Sequence, residues 1–431
     1  MKMNIINASE SSGLHWTEKF ELFNLALMLM LIPTWAWVSF LFMSLWMLSV
    51  VLKNTILKRW SFFNWHQDKH YVYAKNTYML IPMIVIWCIY LVGMLWTSNK
   101  QDGWKEVGHF VWLAGIALTC LCTDFREVKK IHLRKFFWLY VLLMSLLFIV
   151  LLPIYLLKMS GVVTPVFCEF LTGESLFYHI HHSYMAVYII AGLAFLYSEC
   201  VNSEKLNAKK IALIAVCAIC LLLFLLFINS RTGTLSLIIL LMMCWLHLCF
   251  VRKKYRASLI AVVALVAVGS VVFFTLPDNY RRLSTTTEQV AQGDNSDLRI
   301  GIFQNAWMVI KDNVVFGVGT GDVIDELTPY YGSREDVSRP HNQYLETWMA
   351  IGLPGLITLL LMFLLPMLYA YKRRCYLMVA IIAIFAISNL FESSLERQMG
   401  MSLFCVMMIY FVIDTALPLA SRTKQEVVAL S

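Results

Sequence analysis

Residues 211–228, IALIAVCAICLLLFLLFI, run into Asn229-Ser230-Arg231-Thr232-Gly233, and residues 234–251, TLSLIILLMMCWLHLCFV, follow at once. A bilayer-spanning helix needs about 20 apolar residues, about 17 at the short end. The two runs therefore read as two spans joined by a tight polar turn. Cys217 and Cys220 form a C-x-x-C inside the first run. With no second ligand pair, they read as small apolar residues facing lipid or helices, not as a zinc or redox site.

The rest of the chain repeats this pattern. Of 431 residues, 60% are hydrophobic and 14% charged. A soluble protein carries about 45–50% apolar and about 25% charged residues. Disordered, collagen-like and secreted disulfide-rich classes are excluded by the same composition. The expected fold is an all-α integral membrane protein, a single polytopic domain over residues 1–431, with about twelve spans. The spans are read at 22–52, split near Pro33 and Thr34, then 77–96, 107–122, 137–157, 184–199, 211–228, 234–251, 257–275, 343–370, 376–390 and 401–419. The polar start, with no small-residue cleavage site, reads as an uncleaved anchor.

The net charge of +8 sits in short clusters between the apolar runs. Its ordinary meaning there is orientation in the membrane, and no nucleic-acid partner is implied. Alternate loops divide the 35 Lys and Arg unevenly, 24 to 11. Basic loops face the cytoplasm. Both termini are thus expected inside, and the long loop 276–342 outside. That loop carries Arg281, Arg282, Arg299, Arg334 and Arg339 against the prevailing rule. They either bind an anion or pair with acids such as Asp294, Asp297, Asp322, Asp325, Glu326, Glu335 and Asp336.

Arg231 stands close to hydrocarbon, where a cation costs about 2.5–3.5 kcal/mol at a span centre and less near the interface. It either snorkels to the headgroups or faces an internal polar cavity and grips an anion. Arg299 opens the stretch Leu298 to Ile310, whose apolar stripe predicts an amphipathic helix on the membrane face. In the first turn it is placed to meet an anion with the free N–H groups, or to pair with Asp297. Arg339-Pro340-His341-Asn342-Gln343-Tyr344-Leu345-Glu346 closes the loop, and Gly352-Leu353-Pro354-Gly355 follows. Pro340 predicts a helix start, with His341 in the first turn. His341 is either a capping residue or a proton acceptor, histidine being the side chain suited to that near neutral pH. Tyr344 and Glu346 are candidates to orient it. Arg339, Arg281 and Arg282 are second-tier anion ligands. His179, His181 and His182 precede a span, but no ligand set completes a metal site, so polar lining of the same cavity is expected. Glu392, Glu396 and Arg397 could rim it. Gly317-Val318-Gly319-Thr320-Gly321 lacks the lysine and preceding strand of a nucleotide loop.

Taken in order, the arginine turn at 229–233, the helix from Leu298 with its glycine segment 316–321, and His341 to Gly355 resemble the O-antigen ligase and polymerase superfamily of bacterial membrane glycosyltransferases. The resembling part is residues 211–370, and the first half matches in hydropathy more than in residues. The resemblance implies a C-type glycosyltransferase-like fold with a long helical periplasmic loop, working at the outer face of the bacterial inner membrane. The implied donor is a glycan on undecaprenyl diphosphate, and the acceptor a hydroxyl of lipid A–core or another glycan, among membrane lipids. Arg231 and Arg299 would hold the diphosphate, His341 would serve the acceptor, and transfer would invert with no metal or other cofactor. An O-antigen polymerase, extending one lipid-linked glycan with another, shares these motifs, as does a protein-directed oligosaccharyltransferase. A transporter for the same lipid-linked glycan is the alternative of another class; it predicts paired broken helices in two halves, and no such repeat is visible.

Overall fold

A computed structural model describes residues 14–33, 36–60, 77–123, 125, 128, 130–159, 182–203, 206–228, 230–256, parts of 258–270, 298–331 and 339–416, with the backbone alone at some positions, among them His182, Arg231 and Arg299. Among these residues all regular structure is helical. The helices are α1 (Trp16–Leu31), α2 (Ala36–Ile56), α3 (Ile81–Gly93), α4 (Lys100–Leu121), α5 (Lys130–Met159), α6 (His182–Asn202), α7 (Ala208–Ile228), α8 (Arg231–Leu246), α9 (Leu298–Asp312), α10 (Val323–Tyr331), α11 (Gln343–Lys372), α12 (Tyr376–Ser388) and α13 (Gln398–Ala416).

Six segments are long and apolar enough to cross a membrane: Val38–Ile56, Ile131–Pro153, Ser183–Asn202, Ala208–Ile228, Thr232–Val251 and Gln343–Lys372. Three shorter apolar helices, Ile81–Gly93, Tyr376–Ser388 and Gln398–Asp414, join them. The twelve spans expected are not all confirmed, and most of 257–275 lies outside the described residues. The long first apolar run does leave its first helix after Leu31, with Ile32 and Pro33 in a turn. The helix expected at 107–122 starts at Lys100. Asn99 caps it, its side chain accepting from the Asp102 N–H. Two charged turns that read as loop are therefore helical.

Helix α13 is buried from Met401 to Ile413. A helix apolar on every side belongs inside a bundle, and α13 packs on α2, α4, α5 and α6. Helix α7 shows the opposite pattern. Ile214, Cys217, Leu221, Phe224 and Leu225 are buried on one face, while Val216 and Ile219 on the other are more than half exposed. An apolar outer face suits lipid, not water.

Two polar ends bracket this apolar middle. At one, Arg59 binds Glu18, Arg134 binds Glu199, and Lys53 pairs with Glu21 in full burial. At the other, Asp322 receives the Ser98 and Asn99 N–H groups at 2.8 and 2.6 Å, and Ser183 donates to Glu392. These contacts join loops assigned to one side of the membrane by their charge, never loops of opposite sides.

Helix α11 is interrupted at Ile351 and Gly352, where Gly352 takes φ +69°. The glycine segment fills the break. Val318 and Gly319 donate their N–H groups to the Met349 and Ala350 carbonyls, and the Leu353 N–H reaches the Val314 carbonyl. A Cβ on Gly352 would strike the Val315 carbonyl, and one on Gly317 the Met349 carbonyl. Backbone approach, not phosphate binding, is what these glycines permit. Thr320 then donates to the Tyr90 carbonyl. The segment thus ties the α3–α4 turn to the start of α11.

Candidate functional site

The polar end that holds Asp322 also gathers the residues of chemical interest. Helix α11 begins at Gln343, and Asn342 is its cap, accepting from the Tyr344 and Leu345 N–H groups at 3.0 and 3.2 Å. His341 therefore stands before the helix and not in its first turn. Asn342 outcompetes Pro340 as the start signal because its side chain satisfies two free N–H groups. His341 adopts φ +48°. That left-handed conformation is uncommon outside glycine, with histidine among the residues that tolerate it best. Its side chain is 41% exposed, and Nδ1 lies 3.9 Å from Glu392 Oε2. Ser183 donates to the other oxygen of Glu392 at 3.1 Å.

Arg339, two residues earlier, turns inward. Its Nη1 donates to Glu346 Oε1 at 2.7 Å and its Nη2 to Glu106 Oε1 at 3.1 Å. Nη1 also lies 3.6 Å from Glu396 Oε2. Burial alone would lower the pKa of this guanidinium, but Glu346, Glu396 and Glu106 hold it above its ordinary value. Glu396 is in turn held by Gln343, whose Nε2 donates to Oε1 at 3.0 Å. Burial, then the Glu106 carboxylate beside it, push the Glu396 carboxyl well above the usual range. Three carboxylates share one guanidinium here. A buried negative excess calls for protons or further positive charge.

The second-tier candidates thus divide. Arg339 is engaged by carboxylates, though not by the loop acids named from sequence. Glu346 binds Arg339 instead of orienting His341, and Tyr344 donates to the Ala386 carbonyl. Arg281, Arg282 and His181 lie outside the described residues. Of the rim candidates, Glu392 stands by His341 and Glu396 enters the arginine cluster.

Arg231 is the first residue of α8, with Ser230 as its cap accepting from the Gly233 N–H at 3.1 Å. A Cβ on Gly233 would touch that of Ala186 at 2.6 Å. The turn therefore packs on the first turn of α6, beside Ser183. Arg299 falls in the first turn of α9. Ile302, Ala306, Val309 and Ile310 form the buried stripe of that helix, and α9 packs on α11. Trp307 meets Trp348, and the Val314 carbonyl accepts from both the Trp348 indole and the Leu353 N–H, so the C-terminal half of α9 and the turn after it lie against α11. The N-terminus of α8 lies at the His341 end, through Ala186 and the Ser183–Glu392 bond.

Sequence reasoning missed Glu106 and His109, which charge counting had left in a short loop and a span. The signal was present. Glu106-Val107-Gly108-His109 places both side chains on one face of a helix, because residues three apart are neighbours there.

Helices of this length and hydropathy, closed over a buried acid–arginine cluster, define a multi-pass α-helical membrane protein. A family model described as O-antigen ligase matches residues 216–360. It supports the O-antigen ligase and polymerase superfamily. Arg231, Arg299, Arg339 and His341 fall inside the matched stretch, while Glu106, Glu392 and Glu396 fall outside it. The chain is also 26% identical, over 211 residues, to a Haemophilus influenzae protein described as uncharacterized. That alignment covers 43% of this chain and 52% of the relative, so the chain spans about half of the relative's length.

Proposed function

We propose that this chain moves a glycan from undecaprenyl diphosphate to a hydroxyl of lipid A–core, at the periplasmic face of the inner membrane. The observation that carries the reading is the company of His341. The turn that opens α8 with Arg231 packs near Ser183, which donates to the Glu392 that faces His341, and the family match spans Arg231, Arg299 and His341.

The chemistry follows from these residue types. A departing diphosphate needs preorganised positive charge, and the arginine fork matches phosphate oxygens. A helix N-terminus adds partial positive charge, and Arg231 is the first residue of α8. Arg231 and Arg299 hold the diphosphate. His341 takes the proton of the acceptor hydroxyl, or orients that hydroxyl, as it attacks the anomeric carbon from the face opposite the leaving group. Glu392 offers His341 a carboxylate at 3.9 Å, within reach of a small side-chain movement. Arg339 is a positioning residue, since its fork is occupied by Glu346 and Glu106.

The test is transfer in vitro. Purified protein receives a polyprenyl-diphosphate glycan with lipid A–core or with a second lipid-linked glycan. Product on lipid A–core supports the ligase, with His341→Ala and Arg231→Ala inactive though folded. A lengthened lipid-linked glycan instead makes the chain a polymerase. Full activity in both alanine variants overturns the assignment.

A further inference from the structure

We propose that Glu106, His109 and Glu396 form a binding site for one divalent transition-metal cation, separate from the site assigned to the lipid-linked donor. Three observations carry this. The ligand atoms converge: one oxygen each from Glu106 and Glu396 and one nitrogen from His109 lie within 4.8 Å of one another. His109 Nδ1 and Glu106 Oε2 are already 3.6 Å apart on one face of α4. Metal–ligand bonds of about 2.0–2.2 Å place neighbouring ligand atoms roughly 3.5 Å apart, so only a small contraction is needed. The Glu-x-x-His spacing on a bundle helix, completed by a glutamate from another element, is a recurrent way to build carboxylate–imidazole metal sites.

The second observation is the orphaned atoms. Glu106 Oε2, Glu396 Oε2 and His109 Nδ1 have no hydrogen-bond partner. Both glutamates are more than nine-tenths buried, at 8% and 5% exposure. A buried carboxylate oxygen left without a donor costs free energy unless something positive meets it. Their opposite oxygens are already held. Arg339 Nη2 donates to Glu106 Oε1, and Gln343 Nε2 donates to Glu396 Oε1. Outer partners that fix one carboxylate oxygen are the usual support of a metal ligand; Arg339 Nη1 stays 3.6 Å from Glu396 Oε2, beyond hydrogen-bond distance.

The third is space and charge. A small cavity of about 20 Å³ opens on two of the ligands, Glu106 and Glu396, and on Arg339 and Glu346, though not on His109. That admits one water or one ion and excludes a sugar. Three carboxyl groups face one guanidinium, and a divalent cation would take the place of the protons that otherwise relieve their repulsion. Imidazole with carboxylates suits zinc, iron or manganese better than calcium or magnesium. Bound there, the cation clamps α4 to the turn before α13. It thereby sets Arg339, and the strained His341 two residues on.

The experiment uses the full chain purified in detergent, stripped with EDTA and dialysed against Zn²⁺ or Mn²⁺. Metal content by mass spectrometry and the thermal midpoint with and without added metal are measured together. One equivalent of either metal is expected, with a raised midpoint, and both are lost in His109→Ala and in the size-matched Glu106→Gln. A triple His179→Ala, His181→Ala, His182→Ala variant should keep the equivalent. No bound metal in the wild type overturns the proposal, as does metal retained in His109→Ala and Glu106→Gln. Neither readout needs glycan transfer, so the outcome is independent of the proposed reaction.

Discussion

Arg339 Nη1 lies 2.7 Å from Glu346 Oε1, joining the loop before α11 to the first turn of that helix. The guanidinium is 25% exposed and the glutamate 4%. The pair fixes the chain on both sides of His341, which lies between its members. Removing the arginine strands three buried carboxylates. Arg339→Ala should therefore lower stability by about 3–5 kcal/mol, the usual cost of breaking a buried ion pair from one side. Arg339→Lys should recover only part of this, because an ammonium cannot serve Glu346 and Glu106 through one planar fork. Denaturation of the detergent-solubilised variants measures both. An alanine variant as stable as wild type would show that the cluster contributes nothing.

Glu392 is tested by kinetics. It stands 3.9 Å from His341 and accepts from Ser183. As a positioning residue it should act on turnover more than on donor binding, so Glu392→Gln lowers kcat with KM little changed. Glu392→Asp should retain more activity than Gln, since it keeps the charge. The loss stays smaller than that from replacing His341 itself. An equal loss in the Asp and Gln variants would show that the charge has no part in it.

The apolar architecture was legible because hydropathy records it directly. Span length marked most of the helices, and Pro33 marked the first break. The stripe on α9 gave its buried face. The site was legible where one short stretch held it, as in the run from Arg339 to Glu346. It was not legible where distant segments supply partners. Nothing near Arg339 in sequence announces Glu106, which lies more than two hundred residues away on α4. Net charge per loop also misled. Lys100, Asp102, Lys105 and Glu106 read as a loop because they are charged, yet Asn99 and the Asp322 clasp start a helix there. The glycine run was read for phosphate and discounted; its purpose is the interruption of α11, a tertiary contact with no local signature.

That interruption makes a prediction of its own. Gly352 holds φ +69°, with the Val315 carbonyl in the space a Cβ would need. Alanine there pays the left-handed penalty and meets a backbone oxygen that is itself fixed by neighbouring hydrogen bonds. Gly352→Ala should cost at least about 1–3 kcal/mol and shift the α11 start relative to α4. Gly108→Ala is the control, because a Cβ at that position meets nothing within 4 Å. The thermal midpoints of the two variants should separate clearly, and similar midpoints would count against the interlock.

His341 combines a strained backbone with an imidazole, and the two can be separated. At φ +48° a non-glycine residue carries a local cost of about 1–2 kcal/mol. Asparagine tolerates this region about as well as histidine, so His341→Asn should fold with wild-type stability. His341→Gly should be more stable than wild type, by up to about 1 kcal/mol after the greater freedom of glycine in the unfolded chain is counted. If the imidazole handles the acceptor proton, both variants lose about 10²–10⁴-fold in transfer. Stability that rises as activity disappears would mark a residue kept at a structural cost for its chemistry. Activity retained in His341→Asn but lost in His341→Ala would point instead to the backbone conformation as the feature that matters, since alanine alone of the three resists the left-handed region without a compensating side-chain contact.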